Sequence, residues 1–420
     1  MPIRRARARA VVVAFVLLAA GCTGSPAPVP DDSLPAASPK PGPRAAVTLV
    51  GSFDDDRHTA YLEAARLAVR EVNASPLPVT IDLRVLDHRG DANRAGEGLL
   101  EAAKTSAAIV YAGPGSVLTG LRPELEPTRV PVVLLEGDLY TTRGLYTNVF
   151  QASLPLLWQA RVIAKYLHVR NVPGATVVFG GEDLAGGELA WASAAAEEGI
   201  EPSPDEPAYP EGYPIVAMGD PGQAPFGATP DQILSTDALL GLDDQDLAPG
   251  TGFVAPYTWS GWAEPIPRVR RFREAFRAAY GRVPAGLEQQ AYDALRLLAG
   301  GLAATKGTGG GRLIEQLERV EDRAFSSLPI HLGPDDHTLL DDFSIGVFAV
   351  AGPDEEIEPW MAGVTPWRPV MRSFTYDGER VVILERDRRP FFPRWRDPAP
   401  TPKYWRSLLG IITRPRDPLH

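Results

Sequence analysis

The sequence predicts an α/β protein of two lobes, each built on a parallel, doubly wound sheet, with the second lobe reduced. Three observations predict this. Short apolar runs alternate with amphipathic helical stripes from Val47 onward, the pattern of parallel strands joined by helical crossovers. The alternation completes one unit by Phe150 and begins again at Leu156. The 420 residues, 44% of them apolar, suffice for two cores.

The elements follow in order. Val47-Thr48-Leu49-Val50 is a buried strand ending at Gly51. Leu62, Ala65, Val69 and Val72 stripe a helix over Tyr61 to Asn73. Val79 to Val85 alternates with period two and is a strand; Asn93 to Lys104 is helical; Ala108 to Tyr111 is a buried strand. Leu118 to Glu126 is helical, and Pro131 to Leu135 and Asn148 to Phe150 are strands. In the second unit, Leu156 to Leu167 is an amphipathic helix, Ala175 to Phe179 a strand, Glu188 to Glu198 a helix and Pro214 to Met218 a strand. A loop is expected next. Two long helices follow, striped by Val269, Phe272 and Phe276 and by Leu287, Ala291, Leu295, Leu298 and Leu302. Leu313 to Val320 is a third helix and Phe343 to Val350 a strand. Ser373 to Leu384 reads as a hairpin turned at Asp377-Gly378.

The N-terminal region is an export signal. Arg4, Arg5, Arg7 and Arg9 precede the apolar run Ala10 to Leu18, and Ala19-Ala20-Gly21 leads to Cys22, the one cysteine of the chain. The run is too short to span a bilayer. Leu18-Ala19-Ala20-Gly21-Cys22 resembles a bacterial lipobox. The resemblance implies removal of 1–21, a lipid on the Cys22 thiol, and anchoring at the extracytoplasmic face of the cell membrane. The Pro-rich stretch 22–45 then serves as a semi-extended tether, with order beginning near Ala46. A single cysteine excludes an intrachain disulfide. The net charge of −11 argues against nucleic acid as a partner.

Five segments resemble the type 1 periplasmic binding proteins, in the branch that binds leucine, isoleucine and valine. They are Val47 to Asn73; Tyr111-Ala112-Gly113-Pro114-Gly115-Ser116; Val130 to Leu134; Gln289 to Gly300 with its Tyr292-Asp293-Ala294; and Leu332-Gly333-Pro334-Asp335-Asp336 followed by Phe343 to Phe348. The resemblance covers roughly residues 46 to 350. It implies two Rossmann-like lobes joined by a hinge, one from 46–151 and 258–340, the other from 152–257 and 341–386. It further implies a monomer that captures a small solute, an amino acid or related amine-bearing compound, and an ABC permease as partner.

The ligand is expected beyond the carboxyl ends of the strands. In this family the loop after the third strand grips a carboxylate with a hydroxyl and backbone N–H groups. Gly115 and Ser116 fall there; a plain turn is the other reading. The next loop, Glu136-Gly137-Asp138-Leu139-Tyr140, is acidic where the family is small and neutral. Acids there repel a carboxylate and suit an ammonium, so Glu136, Asp138 and Tyr140 are candidate ligand residues. Asp220 in Met218-Gly219-Asp220 resembles the family's acid that faces the ligand ammonium; it also suits a turn before Pro221.

The sequence departs from the family in places. The first loop, Gly51 to Thr59, is short and carries Asp54-Asp55-Asp56, read as a solvated acidic turn. Leu184 stands near the place of a ligand-stacking tyrosine. The stretch from Gly199 to Tyr213 holds Pro202, Pro204, Pro207 and Pro210 and is too short for a crossover helix, so a β-α unit of the second lobe is expected to be missing. Branched-chain specificity is therefore not carried over.

No nucleophile elbow, phosphate-binding loop, His-Glu-x-x-His motif or thiol suggests an enzyme, and no cofactor or metal is expected. The histidines look scattered. His331, Asp335, Asp336, His337, Asp341 and Asp342 resemble a metal cluster but sit where the family has a solvated turn. The tail 387–420 places Trp395, Tyr404 and Trp405 among arginines, as a strap over a lobe or as a contact for the membrane interface or a permease. A second non-enzyme reading is a surface sensor or adaptor built on the same fold.

Overall fold

The computed structural model describes residues 42–383 except 55, 137–145, 170–171, 173, 180–183, 203–213, 219–232, 236–250, 257–266, 285, 322–324, 327–329, 331, 335, 340–344, 351–366 and 377–380. Cys22, Asp138, Tyr140, Asp220 and the tail 387–420 lie outside the described residues.

The first sheet holds β1 (Arg44–Gly51), β2 (Thr80–Asp87), β3 (Ala108–Tyr111), β4 (Val132–Leu134) and β5 (Val149–Gln151) in the order β2-β1-β3-β4-β5. All four pairings are parallel. Side chains alternate between two cores, as the two-residue period of a strand requires. Val47, Leu49, Val110, Val133 and Phe150 face one core. Val50, Ile109, Tyr111, Val132 and Leu134 face the other. The first core is covered by α1 (Asp56–Ala74) and α8 (Leu287–Ala304), the second by α2 (Ala92–Thr105). Asp91 caps α2 by accepting from the Asn93 and Arg94 amides. The helix expected over Leu118 to Glu126 is broken into α3 (Gly115–Gly120), α4 (Arg122–Leu125) and a 3-10 turn (Glu126–Thr128).

The second sheet runs β13-β12-β11-β10-β9-β8-β6-β7. Its parallel half comprises β6 (Gly174–Phe179), β7 (Glu201–Pro202), β8 (Ile215–Met218), β9 (Ile233–Ser235) and β10 (Gly252–Pro256). β11 (Ile345–Val350), β12 (Trp367–Tyr376) and β13 (Val381–Ile383) add antiparallel strands. Thus β7-β6-β8-β9-β10 repeats the order of the first sheet. α5 (Leu156–Val169) and α6 (Leu184–Glu198) pack together and are tied by Arg161–Glu197 at 2.7 Å and Lys165–Glu198 at 2.8 Å.

Three expectations need correction. The stretch expected as a loop before the long helices contains β9 and β10. The strand expected to be missing after α6 exists as β7, but with two residues where β2 has eight. Ordered strand begins at Arg44, because the Thr80 amide donates to the Pro43 carbonyl and extends the ladder.

After β10 the chain forms α7 (Pro267–Tyr280), α8 and α9 (Gly311–Leu317). The segment after α9 meets β5: the Gln151 amide donates to the His337 carbonyl at 2.9 Å, and the Leu339 amide to the Gln151 carbonyl at 2.7 Å. His337 is 4% exposed and stacks on Phe150 at 4.2 Å. The turn expected there is present between Gly333 and Asp336, but His337 is packed inside it and not solvated.

Candidate functional site

The carboxyl ends of β1, β2, β3 and β4 are tied to one another by a polar network. The Ser52 amide, just after β1, donates to His58 Nδ1 at 2.8 Å. His58 lies in the first turn of α1, and its Nε2 donates to Glu136 Oε1, beyond β4, at 3.1 Å. Arg57 Nε lies 3.5 Å from the same oxygen. After β2, the His88 amide donates to the Gly51 carbonyl at 2.9 Å, and its Nε2 donates to the Ala112 carbonyl, after β3, at 3.3 Å. Asp87 accepts from the Phe53 and Arg89 amides. The rings of His58 and His88 meet edge to face with centroids 6.0 Å apart.

The sequence fixes this arrangement through two features. α1 starts at Asp56, so Arg57 and His58 sit at its N-terminus, where the helix dipole favours the Glu136 carboxylate. The strands are parallel, so their carboxyl ends converge on one edge. Burial pushes the Glu136 carboxyl up, but the hydrogen bond from His58 and the charge of Arg57 outweigh it and hold the group below the usual carboxylate range. The folded chain therefore releases this proton more readily than the unfolded chain. The stability it contributes is present above the ordinary carboxylate range and is lost as pH falls through the lowered one.

Of the residues singled out from sequence, Glu136 is in this network. Ser116 is exposed on α3 and has no hydrogen-bond partner among the described residues, while Gly115 beside it is buried. Gly113 is required by packing: a Cβ there would lie 2.6 Å from the Tyr111 hydroxyl. The acidic turn is shorter than expected, since Asp56 already belongs to α1 and Asp54 alone is a described, exposed turn residue. Sequence reasoning missed Arg57, His58 and His88. The signal was available in the expected strand ends at Gly51, Val85 and Leu135, which bring residues close behind them to one edge. Among the described residues no group of three His, Cys, Asp or Glu is arranged to hold a metal. Among them, too, no helix is long and apolar enough to cross a membrane.

The α/β fold with its parallel central sheets is that of the type 1 periplasmic binding proteins, and solved structures bear this out. A leucine-binding protein from Thermotoga maritima matches with a TM-score of 0.60 at 17% identity, over 73% of this chain and 95% of its own. An ABC transporter substrate-binding protein from Desulfitobacterium hafniense, in complex with leucine, matches at 0.61 and 16%, over 73% and 97%. A solute-binding protein from Rhodopseudomonas palustris, in complex with 3,4-dihydroxybenzoic acid, matches at 0.61 and 15%, over 79% and 96%. At these identities the likeness is one of fold. The three are solute-binding proteins and not enzymes. No family model matches the chain. No curated protein is significantly similar to it in sequence.

Proposed function

We propose that this chain is a membrane-tethered, extracytoplasmic solute-binding protein that captures an amino acid or related amine-bearing solute for an ABC importer. The observation that carries the reading is the fixed polar network around Glu136 at the carboxyl edge of a parallel sheet, the place where such sheets take ligands. The substrate-binding neighbours support it at the level of fold. In this reading Gly115, Ser116, Asp138, Tyr140 and Asp220 complete the site. Calorimetry on the full chain against amino acids and polyamines tests it. One class is expected to bind with a single site, and silence across the whole panel would overturn the reading.

The lipid anchor is a separate proposal resting on Leu18-Ala19-Ala20-Gly21-Cys22. Cys22→Ser is expected to move the protein from the membrane to the soluble or secreted fraction, since it removes the thiol that would carry the lipid. Fractionation and immunoblotting read this out. A variant still wholly on the membrane would refute the anchor.

A second reading, a surface sensor or adaptor, is favoured by the proline-rich stretch from Gly199 to Tyr213, which is too short for a crossover helix. It gains if the panel stays silent.

A further inference from the structure

Glu136 is committed on one oxygen only. Oε1 takes the His58 Nε2–H and faces Arg57. Oε2 has no partner among the described residues, and the side chain keeps 21% of its surface exposed. The Ser52 amide needs a lone pair on His58 Nδ1, which fixes His58 as the neutral Nε2–H tautomer. A ring held at both nitrogens holds the carboxylate in one orientation.

His88 supplies a second acceptor. Its Nε2 faces a carbonyl oxygen and must carry the proton, so the neutral ring leaves a lone pair on Nδ1. The residue is 5% exposed, and Nδ1 is buried without a hydrogen-bond partner among the described residues. A buried acceptor left unpaired is costly, which marks it as a group that a ligand donor would satisfy. His88 lies against His58, the residue that holds Glu136.

We infer that this corner of the first sheet receives the protonated primary amine of the solute, with Glu136 Oε2 taking its charge and His88 Nδ1 a second N–H. This rests on the solute-binding reading and fixes which end of the ligand the first sheet reads. Glu136 supports it by being held ionised; a ligand carboxylate at this place would face a like charge.

The test is calorimetry on the full chain with three probes: putrescine, which carries amines only; leucine, which carries both groups; and 4-methylpentanoate, which carries the carboxylate only. Putrescine or leucine is expected to bind, and 4-methylpentanoate is not. Glu136→Gln keeps the acceptor for His58 and removes the charge, and should weaken the amine probe about a hundredfold. His88→Phe keeps a ring and removes the acceptor, and should weaken it about tenfold. A cooperative thermal melt confirms that each variant is folded. If 4-methylpentanoate binds and Glu136→Gln tightens it, the polarity is overturned while solute capture stands. Equal amine affinity in wild type and both variants also overturns it. If none of the three binds, the inference falls, and the solute reading falls with it only if the whole amino-acid and polyamine panel is silent too.

Discussion

Asp293→Ala is expected to cost about 3–5 kcal/mol of stability, the range for removing one partner from a buried, hydrogen-bonded charge. Asp293 is 4% exposed, and its Oδ1 accepts from both the amide and the hydroxyl of Ser326, at 2.9 and 2.6 Å. Ser326 is 0% exposed, so water has no route to replace the carboxylate. Arg268 loses a compensating charge as well: burial already lowers its pKa, and Asp293 opposes that shift. At roughly 1–1.5 °C per kcal/mol for a chain of this size, thermal melting should drop by roughly 5 °C. Asp293→Asn keeps an acceptor and should lose less than half as much. A loss below about 1 kcal/mol for the alanine variant would show that Ser326 and Arg268 are satisfied by other groups.

This aspartate shows what the sequence discloses and what it hides. Tyr292-Asp293-Ala294 was legible as a motif, but its work is structural. The Tyr292 hydroxyl donates to Glu71 of α1, and burial together with that carboxylate raises the tyrosine pKa. Asp293 holds the segment at Ser326. Both lie on α8, where 14 of 18 residues are buried, so a polar residue there needs an internal partner.

Elements set by local pattern were legible. β3 has the bounds Ala108–Tyr111 that its apolar run suggests, and the α7 and α8 stripes are buried as drawn. β9 and β10 were not legible. They are three and five residues long, and Gly252 and Pro256 at the ends of β10 read as loop punctuation. What makes them strands is pairing with β8 and β11, which no local window contains. The site divides in the same way. Glu136 stood out as an acid just past a strand. His58 was lost because the helix was expected to begin at Tyr61 and not at Asp56. Its partner Glu136 is 78 positions away in the chain, and only the parallel order of β1 and β3–β4 brings them together.

Phe253→Ala tests the least legible of these elements. Phe253 sits in β10, where the second sheet changes from parallel to antiparallel: it pairs with Ser235 on one side and Phe348 on the other. It is 1% exposed, and its ring meets that of Phe348 at 5.7 Å. Truncation empties a place in the core on one face of the sheet, beside the Phe348 ring, and the paired strands cannot shift to fill it, so the expected cost is about 3–5 kcal/mol. Phe253→Leu keeps much of the volume and should recover more than half of it. Leu189→Ala, at a side chain that is 56% exposed, should cost under about 0.5 kcal/mol. Urea unfolding separates the cases: the midpoint should fall for Phe253→Ala with its slope unchanged. A slope that also falls would mean that the second sheet unfolds apart from the first. If Phe253→Ala costs no more than Leu189→Ala, residues 252–256 are not the central strand of that sheet, because a central strand cannot lose its largest buried side chain for the cost of a surface leucine.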